Sequence, residues 1–156
     1  EEIGSLQAAF AIANPSDSGL VVRLDLYNLD GTPAGVSGQM AIPARGQTSR
    51  FIRELFPDLP FGFRSILRLS ADSEFVVAGV RTRYNERGEF LIATTPASPE
   101  NVAAASSLVF PHVVTGGGYT TELILSAGPG SALGGDLFLH SEDGLLQPGT
   151  SLQPLQ

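Results

Sequence analysis

The clearest pattern in the chain is a two-residue alternation of apolar and polar side chains near its start. In the stretch 20–28, Val22, Leu24 and Leu26 alternate with Arg23, Asp25 and Tyr27, which predicts a strand that buries one face. Similar runs at residues 5–13 and 36–43 predict strands on either side of it. The pair Asp30-Gly31 predicts a hairpin turn between two of these strands, because Asp-Gly readily adopts positive φ angles.

Two later runs, at residues 64–71 and 74–95, are rich in β-branched and aromatic residues. The second is interrupted by Asn85-Glu86-Arg87-Gly88. A short break that ends in glycine predicts a hairpin in which Gly88 takes the left-handed conformation.

Residues 50–56 follow a helical period instead, because their apolar side chains recur at i and i+4. Pro57 is expected to end this helix. The sequence also predicts an N-terminal cap from Thr48 or Ser49 and an ion pair between Arg50 and Glu54.

Short strands at roughly 8–12-residue spacing, each bounded by Gly or Pro, are typical of a β-sandwich. We therefore predict an all-β, immunoglobulin-like antiparallel β-sandwich with one short helix, plus a partial second β unit. The predicted core consists of Phe10, Ile12, Val22, Leu24, Leu26, Phe51, Leu55, Leu67, Leu69, Val76, Val80, Leu91, Leu123, Leu125, Leu137 and Leu139.

The chain divides into a β-sandwich unit at residues 1–96, a small, polar, proline-bearing linker at 97–107, and a partial repeat of the first unit at 108–156. Within the repeat, Asn14-Pro15-Ser16 corresponds to Gly128-Pro129-Gly130, Leu24 and Leu26 correspond to Leu137 and Leu139, and Asp30-Gly31 corresponds to Asp143-Gly144. The repeat includes predicted strands at 108–114, 119–126 and 136–141, and stops before any counterpart of the helix.

The two copies are incomplete in complementary ways, since the first has no counterpart of residues 108–114 and the second lacks everything after its third strand. A half-sandwich exposes an apolar face and an open edge. Residues 108–156 are therefore expected to complete a sandwich, in their own chain or in the next subunit of a head-to-tail filament. A fragment of a tandem array is the other alternative. The residues predicted to make this contact are Leu108, Val109, Phe110, Leu123, Leu125, Leu137 and Leu139.

Charge and composition narrow the classes of partner. The net charge of −7 disfavours nucleic acid and anionic membrane surfaces. All nine basic residues are arginines between Arg23 and Arg87, and the chain after Gly88 carries only acids. The longest apolar runs are too short to span a bilayer. Without cysteine, the chain has no disulfide or thiolate metal site, and we expect no cofactor.

Six segments together resemble a module that recurs in large secreted or surface proteins of environmental bacteria and has no assigned activity. The resemblance implies an extracellular repeat module and carries over no functional residue. The segments are Asn14 to Ser16, Asp30-Gly31, Phe51 to Pro57, Gly88 to Phe90, Thr94 to Pro96, and Phe110 to Thr121.

The sequence gives little support for a catalytic site or a metal site. There is no G-x-S-x-G motif, and His140, Ser141 and Asp143 are too close in sequence to converge on one point, so we expect no enzyme. His112 lies in a different predicted strand. Oxygen-rich turns at 14–19, 28–31 and 141–144 suit calcium better than a transition metal, but none has the spaced ligand pattern, and ordinary turn chemistry is preferred.

The predicted interaction surface consists of Arg81, Arg83, Tyr84 and Tyr27. The arginines share one strand face, as an anion-binding site or as partners of nearby acids, and the tyrosines are a weak platform for a glycan. Together these patterns predict a non-enzymatic structural module of a bacterial extracellular or cell-surface assembly. The alternative is an extracellular binding module for a glycan or a protein partner.

Overall fold

The computed structural model describes residues 5–100, 107–114, 116–123, 125 and 136–146. The chain forms two compact units, Glu1–Ser98 and Pro99–Gln156, and each is described by itself. The division falls within the predicted linker.

The first unit is an antiparallel β-sandwich, so the predicted fold class is confirmed. Its elements are β1 (Gln7–Ala13), β2 (Leu20–Tyr27), β3 (Pro33–Ile42), β4 (Gln47–Phe51), α1 (Ile52–Leu55), β5 (Ile66–Ser70), β6 (Val76–Tyr84) and β7 (Phe90–Pro96). One sheet has the order β4-β1-β6-β7 and the other the order β3-β2-β5. Four plus three strands is the layer arrangement of immunoglobulin-like sandwiches, but here β1 and β2 lie in different sheets rather than side by side.

The strand order places consecutive strands opposite each other in the two sheets. β1 and β2 are consecutive and form the interior of the two sheets, β3 and β4 flank them on one side, and β5 and β6 flank them on the other. Since each of these pairs is joined by a short connection between the sheets, β1 faces β2, β4 faces β3 and β6 faces β5. β7 extends the first sheet by one strand and has no counterpart in the second.

The alternation in β2 is what holds the layers together. Leu20, Val22, Leu24 and Leu26 are buried in the core, while the residues between them face outward. Phe10 and Ile12 of β1, Ile42 of β3, and Phe56 and Leu59 after α1 complete the buried core.

One buried amide fixes the ends of the central strands. Asn14 follows β1 directly, is 2% exposed, and donates from Nδ2 to the carbonyls of Ser18 (2.7 Å), Pro43 (3.1 Å) and Ile42 (3.4 Å). Its Oδ1 accepts from the Ser16 N–H (3.0 Å) and hydroxyl (2.8 Å). This one side chain therefore joins the β1–β2 connection to the β3–β4 connection, with its hydrogen-bonding groups satisfied.

The helix is shorter than predicted and is capped differently. It occupies only Ile52–Leu55, since Thr48, Ser49 and Arg50 belong to β4. The Phe51 N–H donates to the Glu54 carboxylate (2.9 Å), whereas Arg50 donates to the Ser49 carbonyl (2.8 Å). Edge pairing of β4 with β1 thus takes the residues that local spacing assigned to the first helical turn.

The predicted core is partly wrong. Phe10, Ile12, Val22, Leu24 and Leu26 are buried, and Leu55, Leu67 and Leu69 pack against them, as expected. Val76 and Leu91, however, are 63% and 46% exposed. Val76 points to the outer face of β6, and Leu91 lies on β7 with no strand opposite. The remaining residues of the predicted core are also half-buried: Phe51, Val80, Leu123, Leu125, Leu137 and Leu139.

The same tight turn occurs three times in the described residues. In residues 28–32, 85–89 and 141–145 the first N–H donates to the fifth carbonyl, and the N–H of the glycine at the fourth position donates to the first carbonyl. Those glycines, Gly31, Gly88 and Gly144, have φ angles of 84°, 75° and 82°. The predicted turns at Asp30-Gly31 and at Gly88 are confirmed. Because residues 85–89 lie outside the aligned repeat, the shared turn reflects local chemistry as much as repetition.

Among the described residues of the second unit there are two isolated bridges, Gly116 with Tyr119 and His140 with Leu146, and no strand. The predicted strands at 108–114 and 136–141 are therefore not formed, and the described residues of the predicted strand 119–126 are in no strand either. Residues 124 and 126–135 lie outside the described part of the chain. Apolar side chains there are exposed or half-buried, as expected where no second layer is paired by hydrogen bonds.

We predict that Asn14→Asp lowers the free energy of unfolding by about 2–4 kcal/mol near neutral pH, because a buried carboxylate would face three carbonyl oxygens. Its pKa would be raised in the folded state, so the loss should shrink as the pH falls through that value. Urea unfolding at several pH values measures both effects. Asn28→Asp, at an exposed turn amide that bonds Thr32, is the matched control and should cost under about 1 kcal/mol. Equal losses in the two variants would contradict the role given to Asn14.

Candidate functional site

An apolar groove opens between the two sheets of the first unit, where β7 has no strand opposite. Its cavity volume is about 210 Å³. It is lined by Ala8, Ala9, Phe10, Leu26, Ile52, Leu59, Phe63, Ser65, Leu67, Leu69, Val77, Gly79, Thr95, Pro96 and Ala97. The groove is therefore the space between β5 on one side and β6 and the end of β7 on the other.

The groove exists because two of its lining residues, Gly79 and Ala8, have little or no side chain. Gly79 lies opposite Phe10 in the β1–β6 ladder and opposite Thr95 in the β6–β7 ladder. A Cβ added at Gly79 would lie 2.7 Å from the Thr95 hydroxyl oxygen and 3.2 Å from the Thr95 carbonyl oxygen, so a larger residue would require Thr95 to move. Ala8 lies on the same face of β1 as the buried Phe10, and its small side chain leaves the neighbouring space unfilled.

Size and chemistry restrict what this groove can take. Small-molecule pockets commonly measure about 300–1,000 Å³, so 210 Å³ suits a few side chains better than a whole ligand. Among the described lining residues, Ser65 and Thr95 supply the polar side chains and none carries an ionisable group. Acid–base chemistry and binding of a charged or sugar ligand are not supported by such a lining.

The strands that border the groove expose backbone hydrogen-bonding groups as well as apolar side chains. Within the described residues, β5 pairs with β2 alone, so its other edge leaves backbone N–H and C=O groups without a strand partner. Across the groove, Leu91 shares a face with Thr95, and every residue of β7 is exposed. An additional strand beside β5 would face β7, and each sheet would then have four strands.

The predicted interaction surface is not one surface. Arg81 and Arg83 lie on the groove-facing side of β6, beyond Gly79, whereas Tyr84 points to the opposite side of that strand. Tyr27 belongs to β2 in the other sheet and is half-buried. These four residues therefore do not share one surface. Their positions in the sequence do not show which sheet each strand joins.

Pairing with nearby acids, one of the two interpretations of the arginines, is found at Arg83. Its guanidinium contacts Glu86 at 2.8 Å, and Arg87 contacts Glu89 at 2.9 Å. The backbone N–H at Glu86 and the charge of Arg83 hold the pKa of Glu86 below its ordinary value. These exposed pairs organise the β6–β7 turn and contribute little stability.

The oxygen-rich turns use their carboxylates internally. The Thr32 hydroxyl donates to Asp30 at 2.7 Å and lowers the pKa of that carboxyl group. Asp17 receives two hydrogen bonds from Arg45, at 2.8 and 3.0 Å. No group of three or more His, Cys, Asp or Glu side chains with metal-binding geometry occurs in the described part of the chain.

The turn that contains His140, Ser141 and Asp143 has no nucleophile–base pair. The Ser141 hydroxyl donates to the Asp143 carboxylate, which lowers the pKa of Asp143, and is also 3.0 Å from the Leu145 carbonyl. The nearest polar contact of the His140 ring joins Nδ1 to the Gly144 carbonyl oxygen at 3.2 Å. His112 is exposed in another segment. Hydrogen bonding within the turn accounts for this arrangement.

The residues predicted for self-association fall into two groups. Leu108 and Val109 are 65% and 86% exposed, and Phe110 is also exposed. The second group is half-buried and consists of Leu123, Leu125, Leu137 and Leu139. Only the first group thus offers a contiguous stretch of accessible apolar side chains.

Sequence reasoning missed the groove, although one signal was present. An isolated glycine inside a strand pattern, here Gly79, indicates a close approach of another chain segment. The remaining lining residues are ordinary core residues in the sequence, and nothing local distinguishes them.

Comparisons with known proteins add no identity: no family model, no curated protein and no solved structure matches the chain. In the described residues, no helix combines the length and apolar character that crossing a membrane requires.

We predict that Ala8→Leu raises the free energy of unfolding by up to about 2 kcal/mol, because three added carbon atoms would fill part of the groove. The matched control is Ala11→Leu, which changes the same residue type on the other face of β1 and should shift stability by less than about 0.5 kcal/mol. Urea unfolding compares them. If Ala8→Leu is destabilising while Ala11→Leu is neutral, the groove has no room for a further side chain.

Proposed function

We propose that this chain is a non-enzymatic structural module that assembles by β-strand addition, with the groove beside β5 as its acceptor site. The observation that carries the proposal is the unequal width of the two sheets, four strands over three. The fourth position of the smaller sheet holds no strand of the described chain. The space left there is apolar and is bordered by an edge of β5 that pairs with no described strand, the combination that strand addition uses.

The chemistry of the groove favours a strand over other occupants. Main-chain hydrogen bonds to β5 would supply affinity, and alternate side chains would enter the space between Leu67 and Val77. A glycan needs polar partners and flat aromatic surfaces, but Tyr27 and Tyr84 are on different sheets. The alternative function, an extracellular binding module for another protein, would use the same groove.

The proposal places the module in an extracellular or cell-surface assembly of a bacterium. Its supports are the resemblance to secreted repeat modules, the partial internal repeat and the acidic, cysteine-free composition. A contact between an acceptor groove on one copy and a donor segment on another is head-to-tail. Such a contact need not close into a ring, so repetition gives a filament.

The test is the state of assembly of the purified full chain, measured by sedimentation velocity and negative-stain microscopy over a range of concentrations. We expect polymers for the native chain and for Ala11→Leu, and monomers for Ala8→Leu, in which the groove is filled. A native chain that stays monomeric at every concentration contradicts self-assembly. Polymers of Ala8→Leu equal to those of the native chain contradict the groove as the acceptor.

A further inference from the structure

We infer that the strand received by the groove is the segment 108–113 of a second copy of this chain. The inference rests on the proposed function and specifies its donor. It also selects between the two routes that the sequence leaves open, completion of the same chain and completion of a neighbour.

The segment is accessible and contains no Asp, Glu, Lys or Arg. Val109 is the most exposed large apolar residue of the described chain at 86%, and Leu108, Phe110 and Val113 are exposed as well. Among described residues, none forms a backbone hydrogen bond with 108–113. Its backbone groups and its side chains are therefore both available for strand addition.

The segment is held at one end only. The Thr121 hydroxyl accepts from the Val114 N–H and donates to the Val114 carbonyl, both at 2.9 Å. This anchor fixes Val114 to the second unit and leaves the six residues before it without a comparable tie within the described residues. These six residues are long enough to pair along the whole of β5, which has five.

Proline is compatible with this role. Pro111 lies inside the segment and lacks an N–H, so it fits a strand only at the edge of a sheet. A strand added beside β5 would be the new edge of the smaller sheet. Half of its backbone groups would then face away from β5, so the strand would have to pair in the register that places Pro111 in that half.

Two observations point to a neighbouring copy as the source. Among the described residues, 108–113 belong to no strand or bridge and β5 pairs with β2 alone, so strand addition within one chain is not observed there. The charges are also complementary, because every arginine lies in the first unit and the second unit carries five acids and no basic residue.

The experiment uses full-length variants. Val109→Asp/Phe110→Asp disables the segment, since successive strand residues point to opposite faces and one charge would enter the apolar groove in either register. Its matched control is Leu145→Asp/Leu146→Asp, two consecutive exposed apolar residues of the same unit. We expect the first double variant to associate at least about tenfold more weakly than the native chain and the control to polymerise normally.

Mixing then separates donor from acceptor. Ala8→Leu keeps its segment and has a filled groove, while Val109→Asp/Phe110→Asp keeps its groove and has a disabled segment. Each alone should be monomeric, and an equimolar mixture should form a one-to-one dimer in sedimentation velocity. If the mixture stays monomeric, or if Val109→Asp/Phe110→Asp polymerises like its control, the inference is wrong. In the latter case, a monomeric Ala8→Leu would leave the proposed function intact with a different donor.

Discussion

The buried amide of Asn14 is the constraint on which the rest of the sandwich depends. The chain leaves β1 at the centre of one sheet and must enter β2 at the centre of the other, and Asn14 stands at that crossing. Its contacts with Ser16 and Ser18 set the path of this connection, and those with Ile42 and Pro43 hold the β3–β4 connection beside it. Fixing these two connections at the same end of the sandwich determines the order of β1 to β4. The remaining strands, β5 to β7, add on the side of β1 and β2 opposite β3 and β4.

The consequence of this order is a sandwich with unequal layers. Because β5 and β6 are added as a facing pair and β7 as a single strand, the larger sheet has one strand more than its partner. Apolar residues that would be buried in an even sandwich then stay accessible, as Leu91 shows. Uncovered apolar surface beside a free edge is a hazard for a soluble protein, and controlled strand addition turns the same surface into an assembly site.

Electrostatics has a supporting role in this structure. Ion pairs among the described residues include Arg23–Asp25, Arg45–Asp17, Arg83–Glu86 and Arg87–Glu89. Each lies at the surface and joins residues within a strand, a turn or two neighbouring loops, so each fixes local geometry and contributes little net stability. The shifts in pKa at Asp30 and Asp143 have the same origin, since hydroxyl groups within the turns donate to the carboxylates. Stability of the fold depends instead on the apolar core and on Asn14.

The sequence by itself determined the features that depend on near neighbours. Alternation located the strands, and Asp-Gly and Asn-x-x-Gly located the turns, because side-chain period and positive φ are properties of a few consecutive residues. Only the tertiary structure decided which strands face each other. This pairing separates Tyr27 from Arg81, places the predicted first helical turn in β4, and forms the groove at Gly79. These features depend on pairing between residues far apart in the chain, and the free energy of such pairing comes from burial of whole layers rather than from any local pattern.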